Sequence, residues 1–447
     1  MCFTNILDPR DLEKLAAADR MGLVEEVTEY YLDYTVIDRH LFSIGITGCG
    51  GRRGTQWAPQ FMERTAKCIY SVMKALNRYP VVKYQGSSEL CDTLAQRCSR
   101  LLASSHDTDC LLLIVDRRDD PVSPLLNQWT YQAMIHELVG IKNGKVEVGS
   151  AAFTLSSGRD KFFAENMFAT YDRLLASVDK LKSEYKKTTD IKLDTISEMK
   201  KAIANMAVAK EVTELFKKHI SLVLAIKKVV ESHAFFDEDG ICLFEQDLLD
   251  RVDHSTSAKR VQAFLQDPRL RSIDRVRLVL LYLLRFEGNR NLKLEECVTL
   301  LREADVPPEL RKAVPRLLQY CGKGCPGRDG DIFASTATGQ LKTEAEKQND
   351  MLRHTPLLTQ TLLQLQKGKL DAKKYKVVAQ PGITPSPSPS EVIIFFVGGA
   401  TYEEAKTVAY FNEHNPGMRV ILGGTNVHNT TSFLEEISVS VDNAENA

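Results

Sequence analysis

Residues 110–141 read CLLLIVDRRDDPVSPLLNQWTYQAMIHELVGI and combine the patterns that decide the fold. The apolar run at 111–115 has the length of a buried strand and is too short to cross a bilayer. The charged sequence DRRDD follows at 116–120. Ser-Pro at 123–124 is typical of a helix N-cap followed by the first helical residue, and apolar side chains recur at helical spacing over 125–138. The segment therefore predicts a strand, a charged turn and a helix, which together form one α/β unit.

The composition is typical of a globular protein. The chain has 447 residues, of which 43% are hydrophobic and 26% are charged, so it can form two or three domains. Its 58 Lys and Arg residues nearly balance its 59 Asp and Glu residues, and we therefore expect no nucleic-acid partner. The sequence has no pattern of a secretory signal or a membrane span, which predicts a cytoplasmic protein. Ten scattered cysteines predict no metal site.

Secondary-structure patterns divide the chain into three parts. Strand and helix patterns alternate at first, helical patterns dominate 150–374, and alternation resumes after the Pro/Ser-rich sequence at 381–390. The last part has two strand patterns, at 392–397 and 419–422, which are too few for an independent sheet of ordinary size. We therefore expect these strands to return to the first sheet. The predicted fold class is α/β plus all-α, a discontinuous α/β domain with a mostly parallel sheet and a large, mainly helical inserted domain.

The helical part begins with two long helix patterns, at 160–186 and 193–232. The second contains two apolar series, at 196–206 and 212–229, that are out of phase with each other. The change of phase predicts a bend, a hairpin tip or a shifted face at 207–210. The two series either pack into the core of a helical domain or receive helices of a partner, and the pattern leaves both interpretations open.

The acids Asp116, Asp119 and Asp120 suggest an enzyme, because carboxylates at the C-terminal edge of a sheet often bind magnesium. Arg117 and Arg118 lie between these acids and can pair with them instead. We therefore favour a structural corner stiffened by the prolines that follow. The alternative is an α/β enzyme that binds a nucleotide or Mg²⁺ near Asp116 and the glycine turns.

Glycine-rich turns are the second candidate for chemistry. Gly48, Gly50 and Gly54 lie between a predicted strand and a predicted helix, which is the place of a dinucleotide-binding loop, but their spacing is not G-x-G-x-x-G. Gly-Gly pairs at 398–399 and 423–424 could bind an anion through backbone N–H groups, although such pairs more often permit close packing. We predict no catalytic residue and no cofactor.

Three further segments carry a resemblance together with 110–141. They are FTNILDPRDLEKLA at 3–16, DYTVIDRHLFSI at 33–44 and FFVGGATYEEAKTVAYFNEHNPGMRVILGGTNVHNTTSFLEEI at 395–437. In this order the four segments closely resemble the SM (Sec-one/Munc-eighteen-like) proteins, which regulate SNARE-mediated membrane fusion. The helix sequence NQWTYQAM and the C-terminal segment are most similar to the branch that serves a syntaxin of the trans-Golgi and endosomes.

The resemblance implies an arch of domains and no catalysis. It assigns a remnant of a first domain to 1–10, a second domain to 11–149 and 391–447, a helical third domain to 150–376 and a Pro/Ser linker to 377–390. Because the chain begins with a sequence similar to the last strand of the first domain, we expect most of that domain to be absent. The pocket for a syntaxin N-terminal peptide would be absent with it.

The resemblance also implies the partners. We expect a monomer that binds a trans-Golgi or endosomal syntaxin (a Qa-SNARE) and assembled SNARE helices, and that reaches Golgi and endosomal membranes through them. The hairpin that would contact SNAREs is placed at 204–219, where the sequence departs from the proline-containing tip of the family. The expected contact residues are Met199, Ile203, Met206, Val212 and Phe216. The residues of the structural signature are Asp116, Arg117, Asp120, Pro121, Pro124 and Trp129.

Overall fold

The computed structural model describes residues 2–3, 7, 9–50, 56–102, 107–142, 144–189, 196–233, 235–237, 239–321, 341–379 and 386–445. At residues 3, 9, 188–189, 196–209, 345 and 444–445 it describes the backbone alone.

The strands are β1 (Cys2–Phe3), β2 (Thr28–Glu29), β3 (Thr35–Asp38), β4 (Leu41–Ser43), β5 (Pro80–Gln85), β6 (Asp107–Asp116), β7 (Lys145–Val148), β8 (Ala151–Thr154), β9 (Tyr375–Val377), β10 (Glu391–Val397), β11 (Ala400–Thr401), β12 (Arg419–Gly424) and β13 (Val427–His428).

The helices are α1 (Pro9–Ala18), α2 (Pro59–Leu76), α3 (Glu89–Leu101), α4 (Tyr131–Met134), α5 (Lys161–Asn166), α6 (Tyr171–Thr189), α7 (Ile196–Ser232), α8 (Ile241–Asp250), α9 (His254–Gln266), α10 (Ser272–Phe286), α11 (Leu294–Glu303), α12 (Pro308–Arg311), α13 (Ala313–Cys321), α14 (Glu344–Lys347), α15 (Leu357–Gln366), α16 (Tyr402–His414) and α17 (Thr430–Glu445). Short 3₁₀ turns lie at Arg117–Asp119 and Asp350–Leu352, and α4 continues as a π-helical turn at Ile135–Val139.

The main sheet of the described residues has the strand order β3-β4-β12-β10-β6-β5-β9. Its five inner strands run parallel, and the edge strands β3 and β9 are antiparallel to their neighbours. β10 lies between β12 and β6, so the C-terminal strands occupy the centre of the sheet that the first third of the chain begins. The prediction that they return to this sheet is confirmed, and with it the predicted fold class.

The central strands are buried on both faces of the sheet. In β6, Leu112 and Ile114 belong to the core that includes α2 and α3, whereas Leu111 and Leu113 belong to the core that includes α15 and α16. Because helices cover both faces, the strand reads as an unbroken apolar run rather than an alternating one. This explains why the run at 111–115 predicted a buried strand correctly.

The inserted region has a third, larger core and a pair of long helices packed against each other. Its core includes buried side chains of α7 to α10, with Arg277 the charged exception inside the apolar run of α10. α6 and α7 pack antiparallel: the ring of Tyr185 near the end of α6 stacks on that of Phe216 in α7, at 4.2 Å between centroids. Together α6 and α7 form a structure that we call the hairpin.

Tertiary contacts change the predicted helix at 125–138. Ser123 does not cap a helix; its own N–H and hydroxyl both donate to Asp120, at 3.0 and 2.7 Å. A single turn follows, and Thr130 then forms a bridge with Thr170. The helix therefore begins at Tyr131, so the predicted start at 123–124 is wrong.

Three other expectations are corrected. The pattern at 160–186 forms two helices, α5 and α6, because Thr170 between them bridges to Thr130. α7 runs without interruption through 207–210, so the phase change there does not mark a hairpin tip. The hairpin expected at 204–219 is likewise wrong, because these residues belong to one helix; residues 190–195, between α6 and α7, lie outside the described part of the chain.

The structure also adds detail to two predicted segments, the first-domain remnant at 1–10 and the linker at 377–390. β1, in the segment 1–10 assigned to the first domain, pairs in parallel with β2. β9 overlaps the start of the predicted linker at 377–390, and at the far end of this linker Ser386 N–H donates to the Thr108 carbonyl at 2.9 Å. Residues 380–385 lie outside the described part.

Candidate functional site

Asp116, at the C-terminal end of β6, is the first residue of the charged corner at 116–120. Its carboxylate accepts hydrogen bonds from the Ser88 hydroxyl at 2.5 Å and from the backbone N–H of Arg118 at 2.9 Å. The Arg118 guanidinium binds the same carboxylate through Nε at 2.9 Å. Burial would raise the pKa of Asp116, but the Arg118 charge and these hydrogen bonds hold it below its ordinary value. The negative charge of Asp116 is therefore already neutralised by its own turn.

Arg117 connects the corner to the returning segment. It is fully buried, and its Nη2 donates to both carboxylate oxygens of Glu404 in α16, at 2.6 and 2.7 Å. Its Nε and Nη1 donate to the carbonyls of Gly399 and Asp120, at 3.0 and 2.9 Å. The guanidinium also lies 4.3 Å from the centre of the Phe396 ring. Burial would lower the pKa of Arg117, but Glu404 raises it, so the arginine is charged.

Asp120 connects the corner to the inserted region. Besides the two bonds from Ser123, its carboxylate accepts the backbone N–H of Leu357 at 3.1 Å and so caps the N-terminus of α15. Burial would raise the pKa of Asp120, but the Arg117 guanidinium and the Ser123 hydrogen bonds are among the causes that lower it. The corner is thus tied to the sheet, to α16 and to α15.

The remaining signature residues continue this packing. Pro121 and Pro124 are buried. The Trp129 ring is 3% exposed and lies 4.5 Å from the ring centre of Phe236 and 5.5 Å from that of Phe235, both from the inserted region. All six signature residues are therefore buried, and they lie at the boundary between the sheet and the helical insertion.

The corner offers no room for a nucleotide. The cavity beside Asp116, Asp119 and Asp120 measures about 20 Å³, roughly the space of one water molecule. Asp119 is paired with Lys374 at 2.6 Å. Across the described residues, no group of three or more His, Cys, Asp or Glu side chains is placed to hold a metal ion. The geometry supports the structural interpretation over the magnesium one.

We expect adenine and guanine nucleotides and Mg²⁺ to leave the melting temperature of the protein unchanged. A ligand at 100 times its Kd would add about 2.7 kcal/mol to the free energy of unfolding, which differential scanning fluorimetry detects easily. A dose-dependent rise of the melting temperature with Mg²⁺ or a nucleotide, lost in Asp119→Asn, would restore the enzymatic interpretation.

The first glycine turn already holds a carboxyl group of the protein itself. The backbone N–H groups of Gly48 and Cys49 donate to the carboxylate of Glu436 in α17, at 2.5 and 3.3 Å. A β-carbon at Gly48 would lie 2.2 Å from Val439, and its φ of 72° is one that glycine adopts readily. Gly54 lies outside the described residues. The turn therefore binds an internal carboxylate at the place where a dinucleotide phosphate was considered.

The Gly-Gly pairs serve close packing. A β-carbon at Gly398 would lie 2.9 Å from Arg117, and one at Gly399 would lie 2.4 Å from the ring of His428. Gly423 and Gly424 are part of β12, and a β-carbon at Gly423 would lie 2.1 Å from the ring of Phe42. Their small size is what brings the Arg117 corner and the C-terminal segment together.

A buried histidine anchors the base of the hairpin. His219 of α7 lies between the Tyr131 hydroxyl, 2.8 Å from Nδ1, and the Asp160 carboxylate, 3.0 Å from Nε2. Burial lowers the pKa of His219; the neutral ring then donates from Nε2 to Asp160 and accepts from Tyr131. Asp160 also caps α5, accepting the Phe163 N–H at 2.8 Å. This network fixes α7 against α4 and α5.

The predicted contact residues divide into two groups. Met199, Ile203 and Met206 lie in α7, but their side chains are outside the described part of the structure. Val212 is half-buried, and Phe216 is half-buried against Tyr185. The structure therefore places all five on one helix, and Phe216 among them also contributes to the packing of the hairpin.

Sequence reasoning missed the partners of the corner. Glu404 and Glu436 look like ordinary surface acids of amphipathic helices, although Thr401 and Glu404 have the spacing of a capping box, which the structure contains. Arg277 is a charged residue inside the apolar run of α10. It is fully buried and donates to Glu245 at 2.6 Å and to Asn127 at 2.6 Å.

Comparison with known proteins assigns the family of this fold. The chain matches the Sec1 family over residues 1–436. It belongs to the Sec1 family, the class of SM proteins that the resemblance indicated.

Within the family the similarity is to Vps45. Vacuolar protein sorting-associated protein 45 of Rattus norvegicus is 35% identical over 465 residues, a match that covers 98% of this chain and 80% of the relative. The protein of the same name from Homo sapiens is 34% identical with the same coverage. A solved structure of the SM protein Vps45 in complex with the Qa SNARE Tlg2 is 30% identical, with a TM-score of 0.86, and covers 100% of this chain and 82% of that chain.

These matches bear on the first domain. Because they extend over nearly the whole chain, they give no support to the expectation that most of the first domain is absent.

Among the helices that the structure describes, none is both long enough and apolar enough to cross a bilayer.

Proposed function

We propose that this protein is a non-enzymatic SM regulator that binds a syntaxin-type Qa-SNARE and SNARE helices in trans-Golgi and endosomal transport. The observation that carries the proposal is the likeness of the whole chain to Vps45 in its complex with the Qa SNARE Tlg2. The paired charges and the small cavity at the corner are consistent with a structural role for 116–120. The protein acts on membranes peripherally, through its SNARE partners, and needs no cofactor.

The hairpin is the proposed contact surface for SNARE helices. Its base is fixed by the contact of His219 with Asp160, which holds α7 against the N-terminus of α5. In this proposal Met199, Ile203 and Met206 supply apolar contacts beyond that base, with Val212 and Phe216 nearer to it. Residues 11–149 and 391–447 form the second domain, and 150–376 form the third.

A pull-down with purified proteins tests the proposed function. The cytosolic region of a trans-Golgi Qa-SNARE is immobilised, and the cytosolic region of a plasma-membrane syntaxin serves as the control. We expect retention of this chain by the first and much weaker retention by the second. No retention by the trans-Golgi Qa-SNARE, alone or assembled with its SNARE partners, would refute the proposal.

The double substitution Ile203→Asp, Met206→Asp is expected to weaken SNARE binding at least about tenfold, because each aspartate replaces apolar contact area by a charge. Binding is measured by biolayer interferometry. Leu224→Asp is the matched control, since Leu224 lies on the same helix and is 59% exposed. If the double variant binds normally while Leu224→Asp does not, the contact surface lies at the base of α7 and the predicted residues are wrong.

A further inference from the structure

A groove separates the hairpin from the sheet region. Its lining comes mainly from α6 and α16, with Leu341, Thr343 and the end of α5, and its volume is about 570 Å³. Glu165 of α5 also lines it and pairs with Lys161 at 3.9 Å. The exposed side chains of Arg173, Lys180 and Glu413 line it, so the groove is open to solvent. Its volume falls within the usual range of binding sites.

The α6 wall is basic. Arg173 and Lys180 are seven residues apart and therefore lie on the same side of α6, about 10 Å from each other along the helix. Between them lie the small side chains of Ala176 and Ser177, which also line the groove. Neither Arg173 nor Lys180 forms an ion pair with any residue that the structure describes. The α6 wall therefore presents two positively charged side chains that are available for pairing, with only small side chains between them.

The α16 wall also has charged residues on either side of a small residue, but its available charge is negative. Lys406, Ala409, Tyr410 and Glu413 follow the three- and four-residue spacing of one helix face. Lys406 is neutralised by Glu346 and Glu403, at 2.7 and 2.5 Å. Glu413 is exposed and has no ion-pair partner within the described residues. This wall thus offers a small apolar centre and one available carboxylate.

We propose that this groove is a docking site for an acidic helix of a partner protein, seated between α6 and α16. Ala176 and Ala409 allow a third helix to approach both walls closely. Two carboxylates seven residues apart on that helix match the spacing of Arg173 and Lys180, and a lysine or arginine on its opposite side pairs with Glu413. A compact anion such as phosphate fits poorly, because it cannot reach both cations and would lie opposite Glu413.

The proposal does not rest on the SNARE contacts of the hairpin. The groove uses the face of α6 toward α16, whereas the proposed SNARE contacts are on α7. Substitutions in the groove and at Ile203 and Met206 therefore separate the two sites experimentally.

The test uses the full chain and a designed alanine-rich helical peptide with two glutamates seven residues apart and a lysine on the opposite side. Binding is followed by fluorescence anisotropy of the labelled peptide. We expect saturable binding that weakens at least about tenfold in Arg173→Glu, Lys180→Glu and with rising salt. Lys182→Glu is the control, since Lys182 is exposed on another side of α6. Circular dichroism checks that each variant is folded.

A charge-swapped peptide completes the test. A peptide with lysines in place of the two glutamates should bind Arg173→Glu, Lys180→Glu better than the unsubstituted chain. No saturable binding of the acidic peptide up to about 1 mM, or equal binding by the double variant, would overturn the proposal. Self-association of the chain that the double variant loses would overturn it too, because the occupant would then be a second copy of the chain.

Discussion

Arg117→Met is expected to lower the free energy of unfolding by about 3–5 kcal/mol, because it leaves the Glu404 carboxylate buried without its partner. Both side chains are completely buried, and the two oxygens of Glu404 lie 2.6 and 2.7 Å from Arg117 Nη2. The substitution also removes donors from the carbonyls of Gly399 and Asp120. Urea unfolding followed by tryptophan fluorescence measures the loss, with Trp129 packed close to the corner.

A double variant separates the charge effect from the packing effect. Arg117→Met, Glu404→Gln removes both charges, and Gln at this position can still complete the capping box with Thr401. We expect it to be more stable than Arg117→Met alone by about 1–3 kcal/mol. Arg100→Met, at an exposed position of α3, is the control and should change stability by less than about 0.5 kcal/mol. A loss of that small size in Arg117→Met would contradict the assigned role of the corner.

Mild acid is expected to destabilise the fold strongly between pH 6.5 and pH 4. Burial first, and the nearby Arg117 second, lower the pKa of His428 from 6.5 to about 3; burial lowers the pKa of His354 to about 4. Below pH 6.5 the unfolded chain therefore binds protons that the folded chain does not, so stability falls as the pH falls. Each histidine accounts for up to about 3 kcal/mol by pH 4. Urea midpoints measured at several pH values report this loss.

His428→Gln isolates one of these histidines. Glutamine can retain the hydrogen bond that His428 Nε2 donates to the Gly398 carbonyl at 2.8 Å, but it does not titrate. We expect the variant to be less stable at pH 7 and to lose less stability on acidification. His414→Gln, at an exposed position, should show the full pH dependence of the unsubstituted chain. The same pH dependence in His428→Gln would show that His428 does not cause the acid sensitivity.

The sequence predicted the elements that have a local hydrophobic pattern. The apolar run at 111–115 identified a central strand because helices cover both faces of the sheet, and two strand patterns after 390 were enough to predict their return to it. Helix boundaries were predicted less well where distant contacts decide them. The bridge between Thr130 and Thr170 places the start of α4 later in the sequence than predicted and separates α5 from α6. No pattern in the sequence near either residue predicts this bridge.

The candidate site shows the same division. The charges of 116–120 were interpreted as a structural corner because two arginines lie among the three acids, and the structure pairs Arg118 with Asp116. Their partners could not be predicted, since Glu404 is 287 residues from Arg117. Glu436 likewise reaches Gly48 from 388 residues away. Such pairs form only when the whole chain has folded, so the spacing of residues within one segment cannot predict them.

The affinity of this chain for the cytosolic region of a trans-Golgi Qa-SNARE tests the central claim most directly. Fluorescence anisotropy of the labelled SNARE should show saturable binding with a Kd of about 1 μM or tighter. The affinity should fall in Ile203→Asp, Met206→Asp and stay unchanged in Leu224→Asp. Absence of saturation up to about 100 μM, with a chain shown to be folded by circular dichroism, would contradict the assignment as a SNARE-binding SM protein.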